Sequence, residues 1–312
     1  LSEQTFTELA RETAAIQRLR IILNQISHRP VHALGQNFLT DFNIIEKALR
    51  VAEPDSQLPV VEIGPGLGTL TGALLAGNWQ VFAIERDRRL HAFLEERYRA
   101  AVTRGQLVLT QGDAVHHPRA SLPCDQPFQV IANLPYAITS PWLEGILAPP
   151  VELPQRIAVM IQKESADRFR AEPGSKNFGP MSIFLRHAYR VRDAFRVPRR
   201  CFYPAPEVDS VFLCLDRLDS PLTFDKPTRR FIRSLFTQRR KQIQSTFKRL
   251  GAESLLTPWL AEAKLEPTLR PEQIPLSAWA ILARLLTPPT GTHSGEKQPP
   301  KTARFRGWDS AQ

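Results

Sequence analysis

From about residue 58 the chain alternates between short apolar runs and amphipathic stretches, and this alternation restricts its fold more than any other feature. Strand-like runs occupy 59–63, 80–84, 106–110, 128–132 and 156–161, with helical patterns around 69–77, 88–101 and 139–147. That order specifies βαβ units and a mostly parallel sheet. The runs carry Val and Ile at successive positions, as strands covered by helices on both faces require. Two later runs, 189–197 and 208–215, read as further strands that close the sheet with an antiparallel edge. The expectation is an α/β fold with a mostly parallel, seven-stranded sheet.

The flanks have a different character. Residues 7–27 pattern as an amphipathic helix with Leu9, Ile16, Leu19, Leu23 and Ile26 on one stripe. It reads as a helix packed on its own domain, with partner binding as the alternative. A second helix follows Gly35-Gln36-Asn37-Phe38-Leu39, capped by Thr40 or Asp41. Between Lys226 and Leu250 stand nine basic residues and no acidic one, with Phe231, Ile232, Leu235, Phe236, Ile243 and Phe247 at helical spacing. The expected division is an N-terminal helical extension (1–30), a catalytic domain (31–218), a small C-terminal α-helical domain (219–286) and a disordered tail (287–312).

A formal charge of +10 points to an acidic partner such as nucleic acid, or to a membrane surface. No run of 18 apolar residues occurs, so a membrane-spanning helix is not expected. Glu3, Glu8 and Glu12 interrupt the first thirty residues, which contain no apolar core of a secretory signal. Cys124, Cys201 and Cys214 lack metal spacing and read as reduced thiols of a cytoplasmic protein. The seven histidines form no ligand spacing either, so no metal is assigned.

Chemistry is concentrated at strand ends. Glu62-Ile63-Gly64-Pro65-Gly66-Leu67-Gly68 puts a glycine loop after the first strand of the alternation. Glycines let backbone N–H groups approach a ligand and adopt dihedrals that a Cβ forbids. A dinucleotide fingerprint needs its third glycine at position 69, where Thr69 stands. The spacing is instead similar to the S-adenosylmethionine (SAM) loop of class I methyltransferases. Glu85 ends the second strand and can accept from ribose hydroxyls, while Asp113 after the third can accept from an adenine amine. The structural alternative makes both acids helix caps. Glu62 reads as an anchor for the loop.

Asn133-Leu134-Pro135-Tyr136 follows the fourth strand with an amide, a rigid turn and an aromatic ring. An amide carbonyl can accept from an exocyclic amine, and a ring can stack on a base. An ordinary Asn-x-Pro turn is the alternative. Phe202, before Pro204-Ala205-Pro206, reads by itself as a core aromatic. The basic segment is either a solvated face or a surface for RNA phosphates.

Taken in order, these motifs, together with Gln162-Lys163-Glu164, Phe202–Ser210 and Phe236-Thr237-Gln238-Arg239-Arg240-Lys241, resemble the KsgA (RsmA)-type ribosomal RNA adenine dimethyltransferases over about residues 30–286. The resemblance implies a class I methyltransferase (Rossmann-like) fold with SAM held by Asn37, Leu39, Gly64, Glu85, Asp113 and Asn133. It implies that the Asn133 side chain and the Leu134 carbonyl take the target amine, with Tyr136 and Phe202 on opposite faces of a flipped adenine. The charge of the basic segment, with no compensating anion, favours RNA contacts from Arg233, Arg239, Arg240 and Lys241. The implied activity is dimethylation of N6 on two adjacent adenosines near the 3′ end of small-subunit (16S) rRNA, by a monomer acting on an assembling 30S-type particle. Large-subunit rRNA methylation and a non-catalytic nucleic-acid-binding factor are the alternatives. Two departures stand out: 27–34 is less basic than is usual in that family, and the C-terminal tail has no counterpart.

Overall fold

The structure is a computed structural model in which residues 3–31, 35–150 and 152–286 are described; the tail expected over 287–312 lies outside them. The chain opens with α1 (Glu3–Gln25), β1 (Phe38–Leu39), α2 (Phe42–Ala52), β2 (Val60–Ile63) and α3 (Thr69–Ala76). Next come β3 (Val81–Glu85), α4 (Arg88–Arg97), α5 (Arg99–Thr103), β4 (Leu107–Gln111), β5 (Gln129–Asn133) and α6 (Thr139–Ile146). β6 (Arg156–Gln162), α7 (Lys163–Phe169), α8 (Pro180–Ala188), β7 (Tyr189–Val197), β8 (Phe202–Tyr203) and β9 (Ser210–Arg217) follow. Four further helices are α9 (Lys226–Phe236), α10 (Ile243–Leu250), α11 (Glu253–Ala263) and α12 (Leu276–Leu286).

Seven strands form one sheet in the order β4-β3-β2-β5-β6-β9-β7. Pairs from β4 through β6 are parallel, and β9 runs antiparallel to both β6 and β7. This is the class I α/β architecture. The antiparallel edge has a detail that alternation could not reveal: the later strand, β9, inserts between β6 and the edge strand β7. Burial explains the choice, because β9 is covered along nearly its whole length whereas Val191 on β7 is 46% exposed. Strands β2, β3 and β5 are buried on both faces, which accounts for apolar residues at successive positions in each.

Strand order reverses between β2 and β5, and a crevice at such a switch point, beyond the carboxyl ends of the strands, is where ligands bind in open α/β sheets. Two local details position that crevice. Asp41, not Thr40, caps α2 by accepting from Asn43 N–H (2.9 Å). The helix expected over 88–101 breaks at Tyr98, whose hydroxyl donates to the Gly68 carbonyl (2.6 Å) beneath the glycine loop.

The described residues divide into two compact units, one running to Asp167 with Tyr189–Pro221, the other taking Arg168–Ala188 and 222–286. The helical unit therefore includes a segment that a contiguous 31–218 division assigns to the catalytic domain. Phe178 and Phe184 explain this: their rings lie 6.4 Å from Phe236 and 5.5 Å from Phe224. Within that unit Trp259 and Trp279 are fully buried, 5.7 Å apart, and Trp259 stacks on Phe247. The Trp259 indole donates to the Ala278 carbonyl (2.7 Å), so its polar edge is satisfied.

Candidate active site

Glycine-loop geometry sets the site. Gly64, Gly66 and Gly68 all have positive φ, between +60° and +81°. A Cβ on Gly64 would fall 2.8 Å from Pro135 Cγ, one on Gly66 3.0 Å from the Phe38 ring, and one on Gly68 2.6 Å from Tyr98. The glycine loop thus packs directly on the Asn133–Tyr136 turn. Gly35 (φ +64°) packs against the same turn: a Cβ there would fall 3.0 Å from the Ala137 backbone nitrogen. At all four glycines an added Cβ would stand 3.0 Å or less from a neighbouring segment, in a backbone conformation that L residues rarely adopt.

Between these segments lies a cavity lined by Asn37, Leu39, Gly64, Glu85, Asp113, Asn133, Leu134 and Tyr136, among others. All six residues assigned to SAM by resemblance face this one space. Its chemistry fits the cofactor: a glycine-rich loop that lets a ligand approach the backbone closely, and carboxylates at the tip of β3 and after β4. Glu85 is buried, and its carboxylate accepts from Gly66 N–H (3.1 Å) and Asp87 N–H (2.9 Å). Burial pushes its pKa up, opposed by those two bonds. Asp113 accepts from Val115 N–H with one oxygen and pairs with Arg86 through the other, at 3.2 Å. Neither acid caps a long helix; Asp87 does that for α4, accepting from Arg89 and Leu90 N–H. Arg86 gave no signal in the sequence beyond its place after Glu85.

Glu62 lies at the cavity floor, 1% exposed, and accepts from the Thr71 hydroxyl (2.7 Å), tying β2 to α3. Burial pushes its pKa up from 4.5 to about 8. Below pH 4.5 the carboxyl is protonated in both states and its contribution to stability is full; above 4.5 the unfolded carboxyl ionises while the native one stays protonated. That contribution is lost progressively as pH rises through about 8. Glu62→Gln removes the titration, so melting curves should show wild type falling relative to the variant between pH 5 and 9, by up to about 5 kcal/mol. Parallel curves for the two proteins would contradict this.

The turn itself is well held. Asn133 Nδ2 donates to the Asn37 carbonyl (3.0 Å), which leaves Oδ1 as the acceptor end of the amide. Leu134 N–H donates to the Met160 carbonyl (3.1 Å). Tyr136 and Ser210 share a hydroxyl–hydroxyl hydrogen bond, and Ser210 is fully buried where β9 meets both β6 and β7. Burial pushes the Tyr136 phenol up, with the Ser210 bond opposing. Ser210 carried no sequence signal of this role.

Phe202 is placed differently. It is 2% exposed in the core cluster with Leu39, Met160 and Phe212, and its ring is not among the cavity-lining groups. Its backbone pairs with Leu39 in the small β1–β8 sheet, which turns the side chain inward. That is the position the core-aromatic alternative describes.

In the helical unit the basic stretch splits in two. Arg229 and Arg233 stand over the Phe184 ring, 5.2 and 5.5 Å from its centroid. Arg233 is half-buried there, whereas Arg240 and Lys241 are exposed and Arg239 partly so, in the break between α9 and α10. Among the described residues no helix is long and apolar enough to cross a membrane, and no cluster of three His, Cys, Asp or Glu is placed to hold a metal.

Comparison with known proteins agrees with this geometry. The family model described as ribosomal RNA adenine dimethylase matches residues 28–277. Ribosomal RNA small subunit methyltransferase A of Opitutus terrae is 46% identical over 269 residues, covering 84% of this chain and 95% of that protein. The protein of the same name from Rhodospirillum rubrum is 42% identical over 259 residues, covering 81% and 86%. Among solved structures, a dimethyladenosine transferase from Plasmodium falciparum superposes with a TM-score of 0.63 at 26% identity, covering 78% of this chain and 95% of that one. The 23S rRNA methyltransferase ErmE gives 0.57 at 25%, covering 80% and 99%. With more than two thirds of its length matched, and the glycine loop and Asn133–Tyr136 turn inside the match, the chain belongs to the ribosomal RNA adenine dimethylase family.

Proposed function

We infer that this chain is a SAM-dependent enzyme that dimethylates N6 of two adjacent adenosines near the 3′ end of small-subunit rRNA. The observation that carries the reading is the contact between Gly64 and Pro135, which puts a cofactor loop and an amine-accepting turn in one cavity. Asn37, Leu39, Gly64, Glu85, Asp113 and Asn133 would hold SAM, which supplies an activated sulfonium methyl when bound.

The chain's own residues do the rest by placement. An adenine amine is a weak nucleophile because its lone pair is delocalised into the ring. Asn133 Oδ1 and the Leu134 carbonyl accept its two hydrogens, so the nitrogen can rehybridise and present its lone pair. Fixing that geometry in advance supplies most of the acceleration. Tyr136 offers a ring face to the flipped base, and each stacked face returns about 1–3 kcal/mol against an unstacking cost of a few. Phe202 serves as the second face only if movement of the 202–206 turn uncovers it. Arg239, Arg240 and Lys241 contact RNA phosphates; Arg233 supports that surface from its place over Phe184. The setting is an assembling small subunit in a cytoplasm, with the enzyme a monomer.

The test incubates the protein with labelled SAM and unmethylated small subunits and maps dimethyladenosine. Incorporation at paired adenosines near the 3′ end supports the reading; label confined to large-subunit RNA, or none from an active SAM binder, defeats it. The basic surface has its own check. Replacing Arg239, Arg240 and Lys241 together by alanine should lower the slope of log affinity against log salt by up to about 2–3 and leave SAM binding unchanged. An unaltered slope would remove these residues from the RNA interface.

A further inference from the structure

We propose that α1 is a working wall of the cofactor site: its docking through Leu19 and Leu23 positions the side chains that shape the SAM cavity, and bound SAM in turn holds the helix down. This inference rests on the cavity being a SAM site. The helix precedes the span matched by the family model, which begins at residue 28, so nothing in that match assigns it a role.

Leu19 (7% exposed) and Leu23 (3%) are buried in a cluster with Phe38, Leu67 and Leu90. Those three residues also line the cofactor cavity. Each therefore has one side on the ligand space and another on α1. Phe38 is the most constrained of them, since its ring sits 3.0 Å from where a Gly66 Cβ would be, against the glycine loop itself. Two polar ties fasten the same helix. The Arg20 guanidinium lies over the Tyr203 ring, 5.1 Å from its centroid, and its Nε donates to the Tyr203 hydroxyl (3.3 Å). At the C-terminal end Arg89 donates to the Ser27 carbonyl, just beyond the strand that ends in Glu85.

With α1 undocked, the outer sides of Phe38 and Leu67 would face water and lose their packing partners. The glycine loop would then have to be ordered at the expense of cofactor affinity, which a docked helix avoids by pre-organisation. Coupling of two equilibria is reciprocal, so whatever α1 docking adds to SAM affinity, SAM must return as added stability of the docked helix.

The experiment uses the full chain, measuring SAM affinity by calorimetry and amide hydrogen exchange across residues 16–25. In wild type, saturating SAM should slow exchange in this segment. Leu19→Asp combined with Leu23→Asp should make the segment exchange fast with or without SAM, and weaken SAM binding on the order of tenfold. Turnover at saturating SAM should change less than the affinity does. Conservative Leu19→Met and Leu23→Met should restore both readouts. The proposal is overturned if wild-type α1 exchange ignores SAM, if the double variant keeps α1 docked, or if it frees α1 yet binds SAM within about twofold of wild type. A wild-type protein that binds no SAM defeats the enzymatic reading too, whereas one that binds it with α1 indifferent defeats only this proposal.

Discussion

Asn133→Ala is expected to cut kcat by about 10²–10³ while SAM affinity changes only a few-fold. Two bonds of different kinds meet at this amide. Nδ2 tethers the turn to the Asn37 carbonyl at 3.0 Å, whereas Oδ1 is left for the target amine. Losing the tether disturbs one of several cavity walls. Losing Oδ1 removes an acceptor needed at the moment the nitrogen rehybridises, and preorganised polar groups of that kind account for large rate factors. Calorimetry with SAM and single-turnover methylation of unmethylated small subunits separate the two contributions. If affinity and turnover fall together, Asn133 acts mainly on the cofactor and its assignment to the amine is wrong.

Gly64→Ala should do more damage, and of a different kind. Its φ of +64° charges any L side chain roughly 1–2 kcal/mol, and the new Cβ would stand 2.8 Å from Pro135 Cγ. Proline's ring cannot rotate out of the way, so either the glycine loop or the target turn must move. SAM affinity and turnover should therefore both fall by on the order of 10²-fold, equivalent to about 3 kcal/mol. Gly105 provides the control: φ is +69°, but no atom lies within 4 Å of its added Cβ. Gly105→Ala should lower the melting temperature by a few degrees through backbone strain alone and leave SAM binding intact. Equal loss of SAM affinity in the two variants would show that the Pro135 contact is irrelevant.

Glycine is legible in a sequence; what it meets is not. The spacing of Gly64, Gly66 and Gly68 indicates a loop free to adopt positive φ, but the identities of Pro135, Phe38 and Tyr98 as neighbours come from segments 28 to 71 residues away. Asp41 and Thr40 were equal candidates for one cap, because capping depends on which residue leaves the helix with extended dihedrals, and the structure has Asp41 at φ −94° and ψ 108°. Phe202 shows the same limit at higher cost. Pro204 and Pro206 fix the turn after it locally, but which way its ring points is decided by pairing of β8 with β1, across 163 residues of chain.

Arg229 and Arg233 make the point for charge. A stretch with nine cations and no anion reads as one exposed surface, yet the helical turn of α9 carries these two towards Phe184, while Arg240 and Lys241 are exposed in the break before α10. Phe184 belongs to α8, a segment whose apolar pattern suits a helix in either unit.

The sequence by itself determined the strand and helix periods, the order of chemistry-bearing residues along the sheet, and the family. Each of these depends on neighbours within a few positions, where side-chain spacing and backbone dihedrals are coupled directly. Tertiary structure alone decided that β9 inserts inside β7, that 168–188 joins the helical unit, that Phe202 turns inward, and that α1 shares Phe38, Leu67 and Leu90 with the cofactor cavity. Those outcomes depend on which distant apolar surfaces exclude water together, and burial is blind to separation along the chain.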